Sequence, residues 1–354
     1  MDQDGRMYAN YSLPTIGGIY ATSDHQRFLL ETGHDCFEEV FPETIRDTTR
    51  TLYETGIDAL AAILKECSGV SSSVKLWTAV NFCRESLDRL SLKLDGRVQF
   101  HFYQSLDELT LLESSDVLLY LHFNKYEPSS TQAIHEIQRT TRALVIEDFV
   151  QAPLDISRFS GDYALNSLRK FSSLDVAVAY HRTNVEMTAR PTRYRALRKE
   201  AEQVKTQFLQ HPTEEREQQF LRLGRQADEA LAVREIVSAH PDELERALRF
   251  DFRSVRYLRK FNHDFLSERF RTEFPELTRL PGEYMYFMID SPHREQYRKH
   301  LFSKRIFPVI HWADSGSKQS KSILSFHIDQ RYTPSELERV VVEMAEVRRT
   351  FHGA

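Results

Sequence analysis

Apolar and polar positions along this chain follow two rhythms, and the exchange of one for the other marks out its elements. In TGIDALAAILKEC (55–67), Ile57, Leu60, Ala61, Leu64 and Cys67 fall on one helical stripe, with Gly56 at the turn that feeds it. The β-prone run SVKLWTAVNF (73–82) comes next, then the helical CRESLDRLSLKL (83–94) and the strand-like RVQFHFY (97–103), closed by the polar SLDE. DVLLYLHF (116–123) is almost wholly apolar, as a strand covered on both faces is. QAIHEIQRTTR (132–142) predicts a helix, and ALVIED (143–148) a second buried strand that Asp148 closes. Alternating units of this kind predict an α/β fold: a three-layer domain with a mainly parallel sheet between helices, whose ligands lie beyond the carboxyl ends of the strands.

After about Arg190 the pattern changes to long charged helices, such as RKEAEQVKTQFL and EREQQFLRLGRQADEAL, with Gly224 the one glycine before Arg269. Beyond them LPGEYMYFMID and SILSFHI read as strands, REQYRKHLFSKRI as a helix, RIFPVIHW as extended chain and TPSELERVVVEMAEVRRTF as a capped amphipathic helix. The expected division is a large domain with an N-terminal arm over 1–190, connecting and interface helices over 191–270, and a small α+β domain over 271–354. No internal repeat is visible, and SGSKQSKS (315–322) reads as an exposed loop.

Composition narrows the class. A chain of 354 residues exceeds what one core usually serves, and 41% apolar with 28% charged residues is ordinary for a globular protein. A net charge of -5 lacks the basic field of a nucleic-acid binder, and the arginines of RFDFRSVRYLRKF (249–261) read as a solvated or salt-bridged helix face. Cys36, Cys67 and Cys83 form no CxxC pair, and no stretch approaches the roughly 18 apolar residues of a membrane span, so a cytoplasmic protein with reduced thiols is expected. The histidines give no HExxH-like spacing, and no metal is expected.

The candidate chemistry lies in an ordered set. Asp148 ends a buried strand, Gln151 follows, and Ser167 and Lys170 come about twenty residues on, inside GDYALNSLRK (161–170). Alone, Lys170 beside Arg169 reads as a solvated charge and Asp148 as a cap or loop acid. Together their order resembles the DegT-type aminotransferases, enzymes of the aspartate aminotransferase fold (fold type I) that use pyridoxal phosphate (PLP) to aminate nucleotide-linked keto-sugars. The family's IEDxxQ and GDxxxxSxxK elements stand here as IEDFVQ (146–151) and GDYALNSLRK. TGIDAL (55–60) sits at the place of its SGTDAL-like loop, LWTAVNFC (76–83) at its strand and turn beneath the cofactor, and RKFNHDFL, KRIFPVIHW and SFHIDQRYT among its small-domain elements. The likeness runs from about residue 15 to residue 347.

The resemblance implies an enzyme whose Schiff-base lysine is Lys170, because a lysine amine must condense with the cofactor's aldehyde and return as a base. It makes Asp148 the carboxylate that keeps the pyridine nitrogen protonated, so that the ring accepts electrons from the substrate α carbon. Gln151 is then the ring-oxygen contact, and the N–H groups of Ile57 and Asp58, after Gly56, hold the phosphate with the help of the Ser167 hydroxyl. Phe82 is the expected ring-stacking aromatic, with Trp77 the other choice. His311 and Arg331 are expected to face the substrate, Arg331 as an anion clamp or else in a structural ion pair. The implied reaction moves an amino group from an amino acid, with glutamate the expected donor, to a keto-sugar or a small keto or aldehyde metabolite in a homodimer. Other α-carbon chemistry on PLP, and a non-catalytic PLP-fold protein, are the competing functions. Two departures from the family pattern stand out: Ile57 occupies a place where a hydroxyl is usual, and FSSLDVAVAY (171–180), after the lysine, contains no glycine.

Overall fold

A computed structural model describes residues 15–16, 28–29, 34–68, 73–123, 128–170, 172–183, 189–233, 235–282, 285–309 and 321–351. The chain divides into two units, one of Tyr20–Leu209 with Glu214–Phe252, the other of Met1–Ile19, Gln210–Thr213 and Arg253–Ala354.

The first and larger unit begins with α1 (His34–Val40), β1 (Thr44–Ile45), β2 (Thr48–Tyr53), α2 (Gly56–Ser68), β3 (Val74–Ala79) and α3 (Arg84–Lys93). It goes on through β4 (Val98–Tyr103), β5 (Val117–Leu121), α4 (Pro128–Thr141), β6 (Leu144–Asp148), β7 (Tyr163–Ser167) and β8 (Ala177–His181), and closes with α5 (Arg193–Gln210), α6 (Glu214–Val233) and α7 (Pro241–Leu248). Short 3-10 helices lie at Leu106–Leu111, Pro153–Arg158 and Leu168–Lys170.

Its strands form one sheet of eight in the order β1, β2, β8, β7, β6, β5, β3, β4. From β4 to β7 every neighbouring pair is parallel, while β8 runs antiparallel to β7, β2 to β8 and β1 to β2. Successive residues of a strand point to opposite faces, and the burial shows both faces covered. Leu76, Val117, Leu119, Ile146 and Leu165 pack with Leu60, Ile63 and Leu64 of α2 and Leu90 of α3. The intervening Leu118 and Val145, with Trp77 and Tyr120, pack on the other side with Leu109, Leu112 and with Ile134 and Ile137 of α4. This is the three-layer arrangement that the apolar runs predicted. β7 and β8, in the middle of the sheet, bury every residue.

The second unit holds α8 (Phe252–Glu273), β9 (Thr278–Leu280), β10 (Tyr286–Asp290), α9 (Arg294–Ser303), β11 (Ile323–His327) and α10 (Pro334–Phe351). The strands make an antiparallel sheet in the order β11, β10, β9. Leu337, Val340, Val341, Met344 and Val347 line one face of α10 and join Phe270 of α8, Phe274 just after it, Phe287 and Phe326 in a single core. The start of α10 is a capping box. The Thr333 N–H donates to Glu336 Oε2 at 2.7 Å and the Glu336 N–H to Thr333 Oγ1 at 3.4 Å, which occupies donors that a helix end leaves open.

Candidate active site

The carboxyl end of the parallel strands collects the residues of the sequence motifs. β6 ends at Asp148, opposite Leu165 of β7, and β7 ends two residues further on at Ser167. Gly56, the first residue of α2, approaches this edge closely: a Cβ placed on it would stand 3.2 Å from Ser167 Cβ, 3.6 Å from Ser167 Oγ and 3.9 Å from Val150 Cγ2. The positive end of α2, the Ser167 hydroxyl and the turn after Asp148 therefore share one place. The first N–H groups of a helix have no carbonyl of their own helix to bind. Here the Asp58 N–H donates to Thr55 Oγ1 at 3.2 Å and the Ala59 N–H to the Thr55 carbonyl at 3.0 Å. The N–H groups of Gly56 and Ile57 are what remains for an anion. The Asp58 side chain does not face that anion site. It takes a hydrogen bond from Thr55 Oγ1 at 2.7 Å and pairs with Lys93 Nζ of α3 at 3.0 Å, with both side chains wholly buried.

Asp148 is buried, and its Oδ1 accepts the Val150 N–H at 2.8 Å. Burial pushes its carboxyl up to about 6, against the lowering effects of that hydrogen bond and of the nearby His122 and Lys170. His122, just after β5, stacks on Phe149 with ring centroids 4.2 Å apart, and its Nε2 lies 2.7 Å from Glu147 Oε2. Glu147 Oε1 in turn accepts the N–H groups of Ser160 and Gly161, each at 2.5 Å. A Cβ on Gly161 would lie 2.8 Å from the Val145 carbonyl oxygen, so the glycine of GDYALNSLRK is demanded by this close approach. Gln151 is half-buried, and its Oε1 is shut off from water with no hydrogen-bond partner among the described residues; Asn81 Oδ1, in the turn after β3, is in the same condition.

Lys170 ends the 3-10 helix that follows β7, a turn fastened by the Leu168 N–H to the Val176 carbonyl at 2.9 Å and by Ser172 Oγ to the Leu168 carbonyl at 2.7 Å. Solvent reaches the Lys170 side chain, yet the protein crowded around it still disfavours its charge. Desolvation first and then the positive Arg169 hold the amine below its ordinary range, while Cys83, Asp148 and Asp228 act the other way.

The remaining candidates are placed differently. Phe82 is partly buried against the core that contains α2, on the side of the sheet where Val150 also packs. Trp77 lies on the opposite face, stacked on His101 at 5.1 Å and donating from Nε1 to Asp116 Oδ2 at 3.0 Å, so of the two aromatics only Phe82 stands on the α2 side. Arg331, in the second unit, is largely buried and gives both Nε and Nη2 to Asp329, each at 2.8 Å, while its guanidinium lies 5.2 Å from the Tyr332 ring centroid. His311 lies outside the described residues.

Sequence reading missed His122, whose only signal was its position at the end of an apolar run, and it missed Tyr194, Asp175 and Asp228. The last three gave no local signal: Tyr194 of α5 meets Arg169 and Asp175, and Asp228 acts on the lysine from α6. Among the described residues His300, Glu343 and Glu346 are grouped closely enough to hold a cation, and Lys304 already lies 3.2 Å from Glu343 and 3.7 Å from Glu346. No helix of the described residues is long and apolar enough to cross a membrane.

No family model matches the sequence, and no curated protein matches it. The fold has clear counterparts. The chain is similar to DesI, solved in the presence of its TDP-sugar product, with a TM-score of 0.60, 10% identity and coverage of 95% of this chain and 86% of that one. It is similar to the aminotransferase TlmJ from Streptoalloteichus hindustanus, with a TM-score of 0.58, 12% identity and coverage of 96% and 98%. The protein Spr1654 from Streptococcus pneumoniae in its PMP form gives a TM-score of 0.57 at 9% identity, covering 95% and 93%. An aspartate aminotransferase from Thermus thermophilus gives 0.53 at 12% identity, covering 95% and 98%. The fold is thus that of the aspartate aminotransferases, fold type I.

Proposed function

We propose that this chain is a PLP-dependent aminotransferase that transfers an amino group from an amino acid, with glutamate the first candidate, to a keto-sugar. The observation that carries the proposal is the approach of Ser167 and the turn after Asp148 to the N-terminus of α2 at the end of the sheet that also leads into Lys170. The residues present fit the cofactor on two counts. Gly56 leaves room where a Cβ would press on Ser167, beside donors suited to a phosphate, and Gln151 has a buried polar atom without a partner.

Bound there, PLP supplies an aldehyde for an amine and a cationic ring that stabilises negative charge at the substrate's α carbon. Asp148 would hold the proton on the ring nitrogen. A carboxylate whose own burial is costly gains most from such a partner. Gly56 and Ile57 would bind the phosphate through their N–H groups, joined by the Ser167 hydroxyl, and this set of donors replaces the side-chain hydroxyl that Ile57 lacks. Phe82 would cover the ring. Lys170 Nζ would hold the cofactor, take the proton from the donor's α carbon and return one to the acceptor's carbon. In the same reading the protein is cytoplasmic, as its cysteine usage and lack of a long apolar span predict, and a homodimer, as the sequence resemblance implies.

The test is direct. Purified protein mixed with PLP turns yellow, borohydride fixes the cofactor to Lys170 in a peptide map, and glutamate bleaches the colour. Lys170→Ala binds PLP without the covalent link and loses turnover. Label on another lysine, or transamination by the alanine variant at a tenth of the parent rate or more, would refute the assignment.

A further inference from the structure

We infer that Arg169 is a positioning residue for the reacting amine: clamped by Tyr194 and Asp175, its guanidinium is a fixed cation next to Lys170 in the same 3-10 turn. The inference rests on Lys170 being the reacting amine, as proposed above.

The two residues are consecutive in the 3-10 helix after β7. Arg169 Nη1 donates to Tyr194 Oη at 2.7 Å, and its guanidinium lies 5.9 Å from the tyrosine ring centroid. Tyr194 Oη donates to Asp175 Oδ1 at 2.9 Å. A hydroxyl has one proton, so a tyrosine that gives it to Asp175 can only accept from Arg169, and the direction of the chain is fixed. Tyr194 and Asp175 are both buried, and Asp175 is held in turn by Arg198 Nε at 3.7 Å, with Arg198 Nη2 3.0 Å from Glu202. Anchoring through a neutral phenol has an electrostatic consequence. A carboxylate bound directly to Arg169 would cancel much of its field, whereas the phenol fixes the guanidinium and leaves its charge to act on its neighbours. Among the described residues Arg169 forms no ion pair.

The titratable groups acting on Lys170 come from several elements. Cys83 stands at the start of α3, Asp148 at the end of β6 and Asp228 on α6, where it also lies 3.5 Å from Arg89 of α3; all three favour the protonated amine. Arg169 is the nearby charge that opposes them, and desolvation acts in the same direction. The need is plain, because an ordinary lysine amine is a free base in roughly one molecule in a thousand at pH 7.5, and a protonated amine can neither bond to an aldehyde nor take a proton from carbon.

The test uses the apoprotein, so it reads the amine and not turnover. Wild type and variants are reductively methylated to low conversion across pH 6 to 11, and the rate at Lys170 is read by peptide mass spectrometry. The wild-type midpoint lies below that of exposed lysines in the same protein. Arg169→Gln raises it by about one pH unit, the effect of removing one charge at close range in a partly solvated site. Arg169→Lys, which keeps the charge, stays near wild type, and Tyr194→Phe, which frees the guanidinium, moves part of the way towards the Gln variant. An unmoved midpoint in Arg169→Gln, or an equal rise in Arg169→Lys, overturns the inference. If the Gln variant does not fold, Tyr194→Phe decides on the same terms. Failure to take up PLP in the colour test would strike the functional reading instead, so the two failures are told apart.

Discussion

Asp148→Asn should make the apoprotein more stable while impairing it as a catalyst. The substitution keeps the size of the side chain and an oxygen to accept the Val150 N–H, and removes only the ionisation. In the native protein the carboxyl is buried and pushed from 3.8 up to about 6, with desolvation the leading cause. A raised carboxylate means that the folded state binds the proton more tightly than the unfolded one. The stability it contributes is therefore fully present below pH 3.8 and lost as pH rises through about 6. The rise corresponds to about 3 kcal/mol, absent from the wild type at neutral pH. Urea unfolding of both apoproteins, followed by the fluorescence of Trp77 on the far face of the same sheet, should show the Asn variant more stable by about 3 kcal/mol at pH 7.5. The gap should shrink as pH falls through 6. Cofactor affinity should move oppositely, weakening at least about tenfold because an amide cannot supply the charge that a protonated ring nitrogen needs. Equal stability of the two proteins at pH 7.5, or a gap that ignores pH, would refute the claim that Asp148 is held as a costly buried charge.

Two further predictions concern the frame of the site. Lys93→Met strands Asp58 as an unpaired buried charge behind the first turn of α2 and should cost about 3–5 kcal/mol in urea unfolding. Adding Asp58→Asn should restore at least half of that loss, and a double variant no better than the single one would show that the pair is not the cause. Gly161→Ala forces a methyl to 2.8 Å from the Val145 carbonyl and strains the turn that feeds two N–H groups to Glu147. A loss of about 2–4 kcal/mol is expected, checked by thermal unfolding of the apoprotein, and an unchanged melting temperature would count against the packing described.

The elements that sequence made legible were those with a strong period or an unbroken apolar run. The buried runs of β5 and β6 and the capped face of α10 bury on the faces that their spacing indicates, because side-chain direction in a helix or strand follows directly from residue number, whereas α2, read as one stripe, buries every residue from Asp58 to Leu64. Less was visible where neighbours supply the reason for the structure. β2 (TTRTLY) is polar by composition and becomes a strand because β8 pairs with it, and the antiparallel turn of β8 against β7 has no local signature. α1 and the short α7, of 7 and 8 residues, are about two turns each and too short to stand out from their surroundings.

The candidate site divides along the same line. Chain order alone put Asp148, Gln151, Ser167 and Lys170 in one motif-bearing stretch, since residues at the ends of adjacent parallel strands recur at the spacing of one crossover. Only the folded chain brought Gly56 against Ser167, sent Trp77 to the other face, tied Arg331 to Asp329 and turned Asp58 inward to Lys93. It also set His122 beside Asp148 and linked Arg169 to Tyr194. Which groups carry the chemistry can be written in a sequence, because that depends on residue type. Their protonation and anchoring depend on charges and buried surface contributed by residues far away along the chain, and those distances exist only after packing.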